Sequence, residues 1–220
     1  MNYLSNTIFF KLFSKYRRFS LILVCSVFLV SCDRILTPDF ETDITEVKSG
    51  QYKIDPDHAT LLWKINHLGF STFVGRFNDI DASLNFDPEN VGNSTLEVVI
   101  ATTSLDINNA EFAEELRGSN WFDTETFPQA VYRTTSLIES SSDNTFVFGG
   151  ELTLLGVTAP VNINVAFHGG GRNFLTRKNT LGFSATASFQ RSVFGLDRFT
   201  SFGVGDDIDL EIHIEFQVAE

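Results

Sequence analysis

Residues 207–218, with the sequence DIDLEIHIEFQV, form the stretch that decides the fold class of this chain. Apolar side chains alternate there with polar, mostly acidic ones, which is typical of a β-strand with one buried and one solvated face. The same period of two recurs at 161–167 and 183–189, and residues 61–65 follow it except for Leu62. Including weaker candidates, the pattern predicts roughly nine or ten antiparallel strands. The weaker candidates are 70–78, 80–86, 94–103, 130–138 and 145–154.

Turn signals and one helix complete the local pattern. Turn-forming residues separate the strands at 87–90, 140–144 and 169–171. A short α-helix is predicted near 109–117, where Asn108 or Asn109 can cap the first turn, and Phe112 and Leu116 share one face. Strands with a single apolar face must bury it in a two-sheet sandwich or in a closed barrel. Strand spacing does not distinguish these two all-β architectures.

The composition indicates an apolar interior and an acidic exterior. The chain has 220 residues, 43% of them hydrophobic, and contains 23 Phe against 2 Trp and 4 Tyr. Phe adds bulk without a polar tip, so it suits an interior that offers no hydrogen-bond partner, although an ordinary core uses it equally well. Beyond residue 32 the chain carries 12 basic and 28 acidic residues, a formal charge of −16. Such a surface disfavours nucleic acids and anionic headgroups.

The first 32 residues are typical of an export signal. Four basic residues and no acidic one precede an apolar run at 19–30, which is too short to span a bilayer. The run ends in LVSC at 29–32, which resembles the bacterial lipobox, whose cysteine is acylated and becomes the first mature residue. We therefore predict a lipoprotein signal peptide at 1–31 and an acylated Cys32. A plain signal peptide with an incidental cysteine is the alternative.

This interpretation sets the domain boundaries and the location. Residues 32–50, which show no sustained period, are predicted to form a flexible tether, and 51–220 the folded domain. Cys25 would be removed with the signal, so the mature chain would have no cysteine for a disulfide or a thiolate metal site. We expect a lipoprotein of the bacterial cell envelope that faces the periplasm or the cell surface, on a membrane that the sequence does not identify.

Several motifs, in order along the chain, resemble the YceI family. The most specific is GELTLLGVTAPV at 150–161. The others are YKIDPDH at 52–58, HLGFS at 67–71, GRF at 75–77, LRGS at 116–119, Phe122-Asp123, Phe127-Pro128, Arg191-Ser192, Phe194-Gly195 and VGD at 204–206. Together they cover about 51–218, nearly the whole predicted domain.

The resemblance implies an extended lipocalin-like antiparallel β-barrel of about eight to ten strands with one short helix near 109–117. It also implies a long isoprenoid bound in the interior and no established enzymatic activity. The chain departs from the family in the helix, where Ala113 and Glu115 stand in place of an Asp and a His that the family often has.

The expected ligand-binding residues form two groups. The apolar lining is predicted to consist of Phe70, Phe77, Leu96, Val98, Phe146, Phe148, Val165, Phe167, Phe183, Leu210 and Ile212. Headgroup contacts are predicted for His58, His67, Arg117 and Arg191, for which backbone hydrogen bonds and structural salt bridges are the competing interpretations. The histidines lack the tight spacing of a zinc motif, so no metal site is predicted, and Ser71, Ser119 and Ser192 lack the G-x-S-x-G context of a nucleophile, so no catalytic residue is predicted. The Gly- and Phe-rich stretch 194–206 is a candidate portal flap.

The leading functional hypothesis is a membrane-tethered periplasmic protein that sequesters or carries a quinone or polyprenyl phosphate, without a cofactor. Its expected partners are this lipid and the membrane that holds the acyl anchor; nucleic acid is not expected, and a homodimer remains open. One alternative is an interaction module of the cell envelope whose barrel is filled by side chains. Another is a small enzyme that uses His58, His67 or Arg117 at the barrel mouth.

Overall fold

The computed structural model of the protein describes residues 39–219. The predicted signal peptide, Cys32 and tether residues 33–38 lie outside the described residues. The described part contains one α-helix, α1 (Ala110–Arg117), and several short 3₁₀ turns. Its strands are β1 (Asp39–Glu41), β2 (Gly50–His67), β3 (Ser71–Phe77), β4 (Ile80–Phe86), β5 (Thr95–Ala101), β6 (Leu105–Asp106), β7 (Gln129–Ser140), β8 (Thr145–Leu154), β9 (Val157–Pro160), β10 (Ile163–Arg172), β11 (Asn179–Gln190) and β12 (Val204–Val218).

Eight of these strands close into an antiparallel barrel. The order around the wall is β2, β4, β5, β7, β8, β10, β11 and β12, and β12 pairs with β2. The pairing of β8 with β10, where Phe148 lies opposite Ile163, completes the ring. A closed wall leaves no free edge and encloses a volume. The closed barrel is therefore correct, and the two-sheet sandwich that the strand spacing left open is not formed.

The barrel wall is extended at one end because β2 is long. Its first residues pair with β4, as Gly50 does with Phe86, and its last residues pair with β3, as Leu61 does with Phe77. β3 in turn pairs with β6, which continues the line of β5 after a 3₁₀ turn. This extension gives the interior more depth than the eight-stranded ring alone.

The two ends of the barrel differ in what they carry. The upper end carries the β2–β3 turn (68–70), α1 and the connection between β11 and β12 (191–203), since Val204 pairs with His67. The lower end carries the β10–β11 turn (173–178), and Asp39 pairs there with Arg172. The described chain thus enters the barrel at the end opposite to α1.

The alternating pattern produces the core as predicted. In β12, Ile208 and Phe216 are buried, whereas Asp209 on the other face is exposed. The helix begins where its capping residue indicates, because Asn109 Oδ1 accepts a hydrogen bond from the Phe112 N–H at 3.1 Å. α1 is amphipathic, and it buries Ala113 and Leu116 on its apolar face against the barrel.

Residues 39–49 pack on the barrel, although the sequence predicted a flexible tether up to residue 50. β1 extends the sheet beside β10, and Ile44 and Val47 are each 8% exposed. The Tyr52 hydroxyl donates a hydrogen bond to the Lys48 carbonyl at 2.6 Å. From Asp39 onward the chain forms one compact unit, whose closed ring of strands surrounds a single apolar core, so it has what a domain needs to fold by itself. Within it, no helix is both long and apolar enough to span a bilayer.

Candidate functional site

The upper half of the barrel encloses an apolar cavity of about 540 Å³ that opens at the upper end. This volume lies within the range of pockets that bind small organic molecules. Strands, α1 and the 191–203 connection all contribute side chains. The apolar lining comprises Leu61, Trp63, Ile65, Leu68, Phe73, Phe77, Ile100, Phe112, Leu116, Trp121, Phe122, Ala130, Leu152, Leu154, Phe189, Leu196, Phe199, Phe202, Val204, Ile208 and Leu210.

A second cavity of about 140 Å³ lies in the lower half. Leu61, Ile100, Leu152 and Leu210 line both cavities, so these four side chains form the partition between them. The upper half is therefore open, whereas the lower half is largely filled. The interior of the barrel is therefore not packed with side chains throughout.

Phenylalanine rings fill much of the lower half. Phe183 is at the centre, with ring centroids 5.3 Å from Phe167, 6.1 Å from Phe86 and 6.1 Å from Phe216. The contacts with Phe86 and Phe216 are edge to face and the contact with Phe167 is tilted, and aromatic pairs of this kind stabilise a packed core beyond the burial of area alone. Tyr132 is also buried there, and burial raises the pKa of Tyr132 to about 12 while its hydroxyl donates to the Val161 carbonyl at 3.2 Å.

Three ionisable side chains line the upper cavity, namely His67, Glu115 and Arg191. Arg191 is only 4% exposed, and burial lowers the pKa of its guanidinium. Its Nε donates to the Gly205 carbonyl at 2.8 Å, its Nη2 to the Arg198 carbonyl at 2.9 Å, and its Nη1 to the Leu196 carbonyl. Arg191 therefore fixes the 191–203 connection against β12 and keeps two of its five N–H groups for other partners.

Most of the predicted lining residues face one of the two cavities. Phe77 lines the upper cavity, Leu210 lines both, and the lower cavity is lined by Leu96, Val98, Phe146, Phe148, Val165, Phe183 and Ile212. Phe167 is buried against Phe183 but lines neither cavity. The prediction for Phe70 is wrong, because this side chain lies in the β2–β3 turn and is 89% exposed.

The predicted headgroup residues are divided between the cavity and the outer surface. His67 and Arg191 line the upper cavity. Arg117 does not, and its Nη1 lies 3.6 Å from Glu114 Oε2 on the same helix. His58 is also outside the cavity, in a bulge of β2 opposite β12, so the structure does not support a headgroup contact for Arg117 or His58.

His58 instead belongs to a surface cluster with Asp55 and Glu215. Its Nδ1 lies 3.0 Å from Asp55 Oδ2, and one ligand atom from each of the three residues lies within 4.8 Å of the others. The hydrogen bond and charge of Asp55, followed by the charge of Glu215, raise the pKa of the His58 imidazole. Within residues 39–219, this cluster is the group of side chains that could hold a metal ion.

Sequence reasoning missed much of the upper lining. Trp63 and Ile65 follow the alternating pattern of β2, so the pattern itself could have identified them. Trp121, Phe199 and Phe202 lie outside regular strands, where no period indicates an orientation. Trp121 and Phe199 pack with ring centroids 5.9 Å apart, a contact between segments far apart in sequence. The Phe-rich composition of 194–206 was the one available signal.

Comparisons with known proteins give a consistent result. A sequence profile described as the YceI-like domain matches residues 52–216. A UPF0312 protein of Vibrio cholerae is 32% identical over 169 residues, which cover 76% of this chain and 87% of that protein. The crystal structure of Burkholderia cenocepacia BcnA superposes with a TM-score of 0.65 at 20% identity, over 74% of this chain and 98% of that one. A Saccharophagus degradans domain described as polyisoprenoid binding superposes with a TM-score of 0.56 at 12% identity, over 78% of this chain and 100% of that one.

Proposed function

The chain belongs to the YceI family, and on that premise we propose that it binds a long apolar isoprenoid inside its barrel and sequesters or carries it. A quinone or a polyprenyl phosphate is the expected class of ligand. The observation that carries this proposal is the cavity of about 540 Å³ with an almost wholly apolar lining. The Saccharophagus degradans domain, described as polyisoprenoid binding, supports it by analogy of fold.

The chemistry of the wall favours a hydrocarbon chain over a polar ligand. Each buried carbon contributes about 0.8 kcal/mol, so a twenty-carbon prenyl chain would gain about 16 kcal/mol before the costs of association. Loss of translational and rotational freedom and ordering of the chain consume about 4–15 kcal/mol of this gain. A sugar or a nucleotide would leave its polar groups unpaired against the same wall.

The ionisable groups suit the polar end of such a ligand. His67, Glu115 and Arg191 line the open half of the barrel, whereas Phe rings fill much of the lower half. A chain that enters tail first would leave its headgroup near these residues. We assign the protein a binding role rather than a catalytic one, a proposal supported by the family match and by the fold shared with the Saccharophagus degradans domain.

The location is part of the same proposal. The LVSC motif at 29–32 supports acylation of Cys32, which would tether the domain to a membrane of the bacterial envelope, facing the periplasm or the cell surface. A carrier of an apolar lipid acts between membranes or between a membrane and an acceptor. Anchoring would keep it concentrated where its ligand is found.

Recovery of the ligand tests the function directly. The protein is purified without detergent exchange, and native mass spectrometry and solvent extraction are used to look for a prenyl compound. Geranylgeraniol, a twenty-carbon prenyl alcohol, is then added from detergent micelles. We expect a one-to-one complex; recovery of no lipid together with no binding of the added prenol would overturn the proposal.

A further inference from the structure

Three exposed apolar side chains line the upper cavity at its opening, and a fourth, Phe70, lies in the same turn as one of them. We call Leu68, Phe70, Phe199 and Phe202 the apolar rim; their exposed fractions are 41%, 89%, 48% and 76%. Single exposed apolar residues are common on soluble proteins, but a contiguous group beside a pocket marks a binding surface.

Contacts between two loops hold the apolar rim together. The Leu68 N–H donates to the Gly203 carbonyl at 3.1 Å, which joins the β2–β3 turn to the 191–203 connection. The rings of Phe199 and Phe202 lie 6.1 Å apart. Phe70 stands in the same turn as Leu68, and its N–H donates to the His67 carbonyl at 3.0 Å. The rim is therefore one surface formed by two segments.

The rim is continuous with the cavity wall. Leu68, Phe199 and Phe202 line the upper cavity as well as being exposed at its opening, so the apolar surface runs without interruption from the outside to the interior. A ligand that passes this opening stays in contact with apolar side chains throughout.

The source of the ligand determines what the rim contacts. A long prenyl chain is dissolved in bilayers and almost absent from water, because each carbon that leaves the bilayer is penalised. Passage through water would expose the whole chain at once, whereas an opening pressed onto a bilayer would expose little of it. We propose that the apolar rim docks on the surface of a lipid bilayer and inserts Phe70 and Phe202, a step that rests on the proposed function.

Charge indicates which bilayer surface fits. The chain beyond residue 32 has a formal charge of −16, which opposes approach to anionic headgroups. One cation, Arg198, lies at the rim, with its guanidinium 5.4 Å from the ring centroid of Trp121 and 5.7 Å from that of Phe199. A guanidinium in this position can meet the phosphate of a zwitterionic lipid. We therefore expect stronger docking on phosphatidylcholine than on phosphatidylglycerol.

Vesicle flotation with the domain from Asp39 onward tests the docking, since this unit has its own core and carries no acyl anchor. The probe is a phosphatidylcholine vesicle without prenyl ligand. Phe70→Ser is the test variant, because Phe70 is exposed and lines neither cavity. Leu175→Ser is the matched control, since Leu175 is 76% exposed in the turn at the lower end. Burial of a Phe side chain corresponds to one or two orders of magnitude in a partition constant.

We expect the unmodified domain to float with the vesicles, Phe70→Ser to lower the partition constant tenfold or more, and Leu175→Ser to change it less than twofold. No flotation of the unmodified domain, or equal losses in the two variants, would overturn the docking. So would a dimer in sedimentation that Phe70→Ser dissociates while neither form floats, because the rim would then be a self-association surface.

Binding of geranylgeraniol from detergent micelles separates this inference from the proposed function. A domain that binds the prenol but does not float refutes the docking alone. A domain whose flotation with vesicles depends on Phe70, but which binds no prenol, refutes the carrier function and leaves the docking surface established.

Discussion

Replacing Ala130 with phenylalanine should obstruct the upper cavity while the domain stays folded. Ala130 is 6% exposed on β7, opposite Ile100 of β5, and its side chain lines this cavity. A phenyl ring at this position would project into about 540 Å³ of open space and not into a packed core. The usual overpacking penalty of about 1–3 kcal/mol should therefore be small or absent.

The effect on binding follows from the carbons that the ring displaces. Phenylalanine has six more side-chain carbons than alanine, about as many as one five-carbon prenyl unit. Excluding one such unit from the cavity removes about 4 kcal/mol of apolar burial at about 0.8 kcal/mol per carbon. The dissociation constant for geranylgeraniol should rise by about three orders of magnitude if the chain finds no other route, since about 1.4 kcal/mol corresponds to tenfold.

A matched obstruction in the lower cavity distinguishes the two compartments. Ala187 is 5% exposed and lines the cavity of about 140 Å³. In a fluorescence titration that uses Trp63 and Trp121 in the cavity wall as reporters, Ala130→Phe should weaken binding of geranylgeraniol by about three orders of magnitude, and Ala187→Phe should weaken it far less. Equal affinity of Ala130→Phe and the unmodified protein, with unchanged thermal stability, would refute the assignment of the upper cavity as the ligand site.

Three further changes have defined expected outcomes. Arg191→Leu leaves the carbonyls that Arg191 holds without their buried donor, so urea unfolding should show a loss of about 3 kcal/mol; an unchanged midpoint would contradict this role. The His58 pKa, measured by NMR titration, should lie above its ordinary value and fall in Asp55→Asn, whereas Asp57→Asn, which removes the weakest of the neighbouring charges, should lower it less. Because folding raises the pKa of His58, the ion pair between His58 and Asp55 stabilises the domain below about pH 6.5, and this contribution is lost as the pH rises through the folded-state pKa. A His58 pKa at its ordinary value would exclude this contribution. Cys32→Ser should move the protein from the membrane fraction to the soluble fraction of cells and abolish acylation detected by mass spectrometry, and unchanged fractionation would exclude a lipid anchor on this residue.

The elements that sequence reasoning predicted well are those whose signal is local. β12 alternates strictly, so its buried side chains could be read from the sequence, and Asn109 marked the beginning of α1. The location of the inner face followed because a period of two assigns every second side chain to the same side. Antiparallel strands with one apolar face then required closure or a sandwich, and the YceI resemblance selected the barrel.

The errors concern positions where local pattern gives no orientation. Phe70 was assigned to a strand, but Leu68 and Gly69 have positive φ angles of 59° and 77°, so the chain reverses before β3 begins. Residues 39–49 have no period, yet β1 adds to β10 by a pairing between residues more than a hundred positions apart. The headgroup contact of Arg191 stays a prediction, and what the sequence did not indicate is that Arg191 also holds the 191–203 connection, through three carbonyls that only the folded chain brings together.

The positions of the opening and of the chain entry constrain how an anchored barrel could work. Asp39 lies at the lower end and the apolar rim at the upper end. β12 has 15 residues, about 50 Å along the strand, which at a tilt of about 35–45° gives about 35–40 Å between the ends. Seven residue steps from Cys32 to Asp39 reach at most about 25 Å. An acyl anchor on Cys32 would therefore hold the lower end near its own membrane and prevent the rim from facing that bilayer squarely. The apolar rim would then meet an opposing membrane. Because a longer segment would let the rim reach the anchoring membrane as well, insertion of a flexible linker between Cys32 and Asp39 should speed uptake of prenol from that membrane.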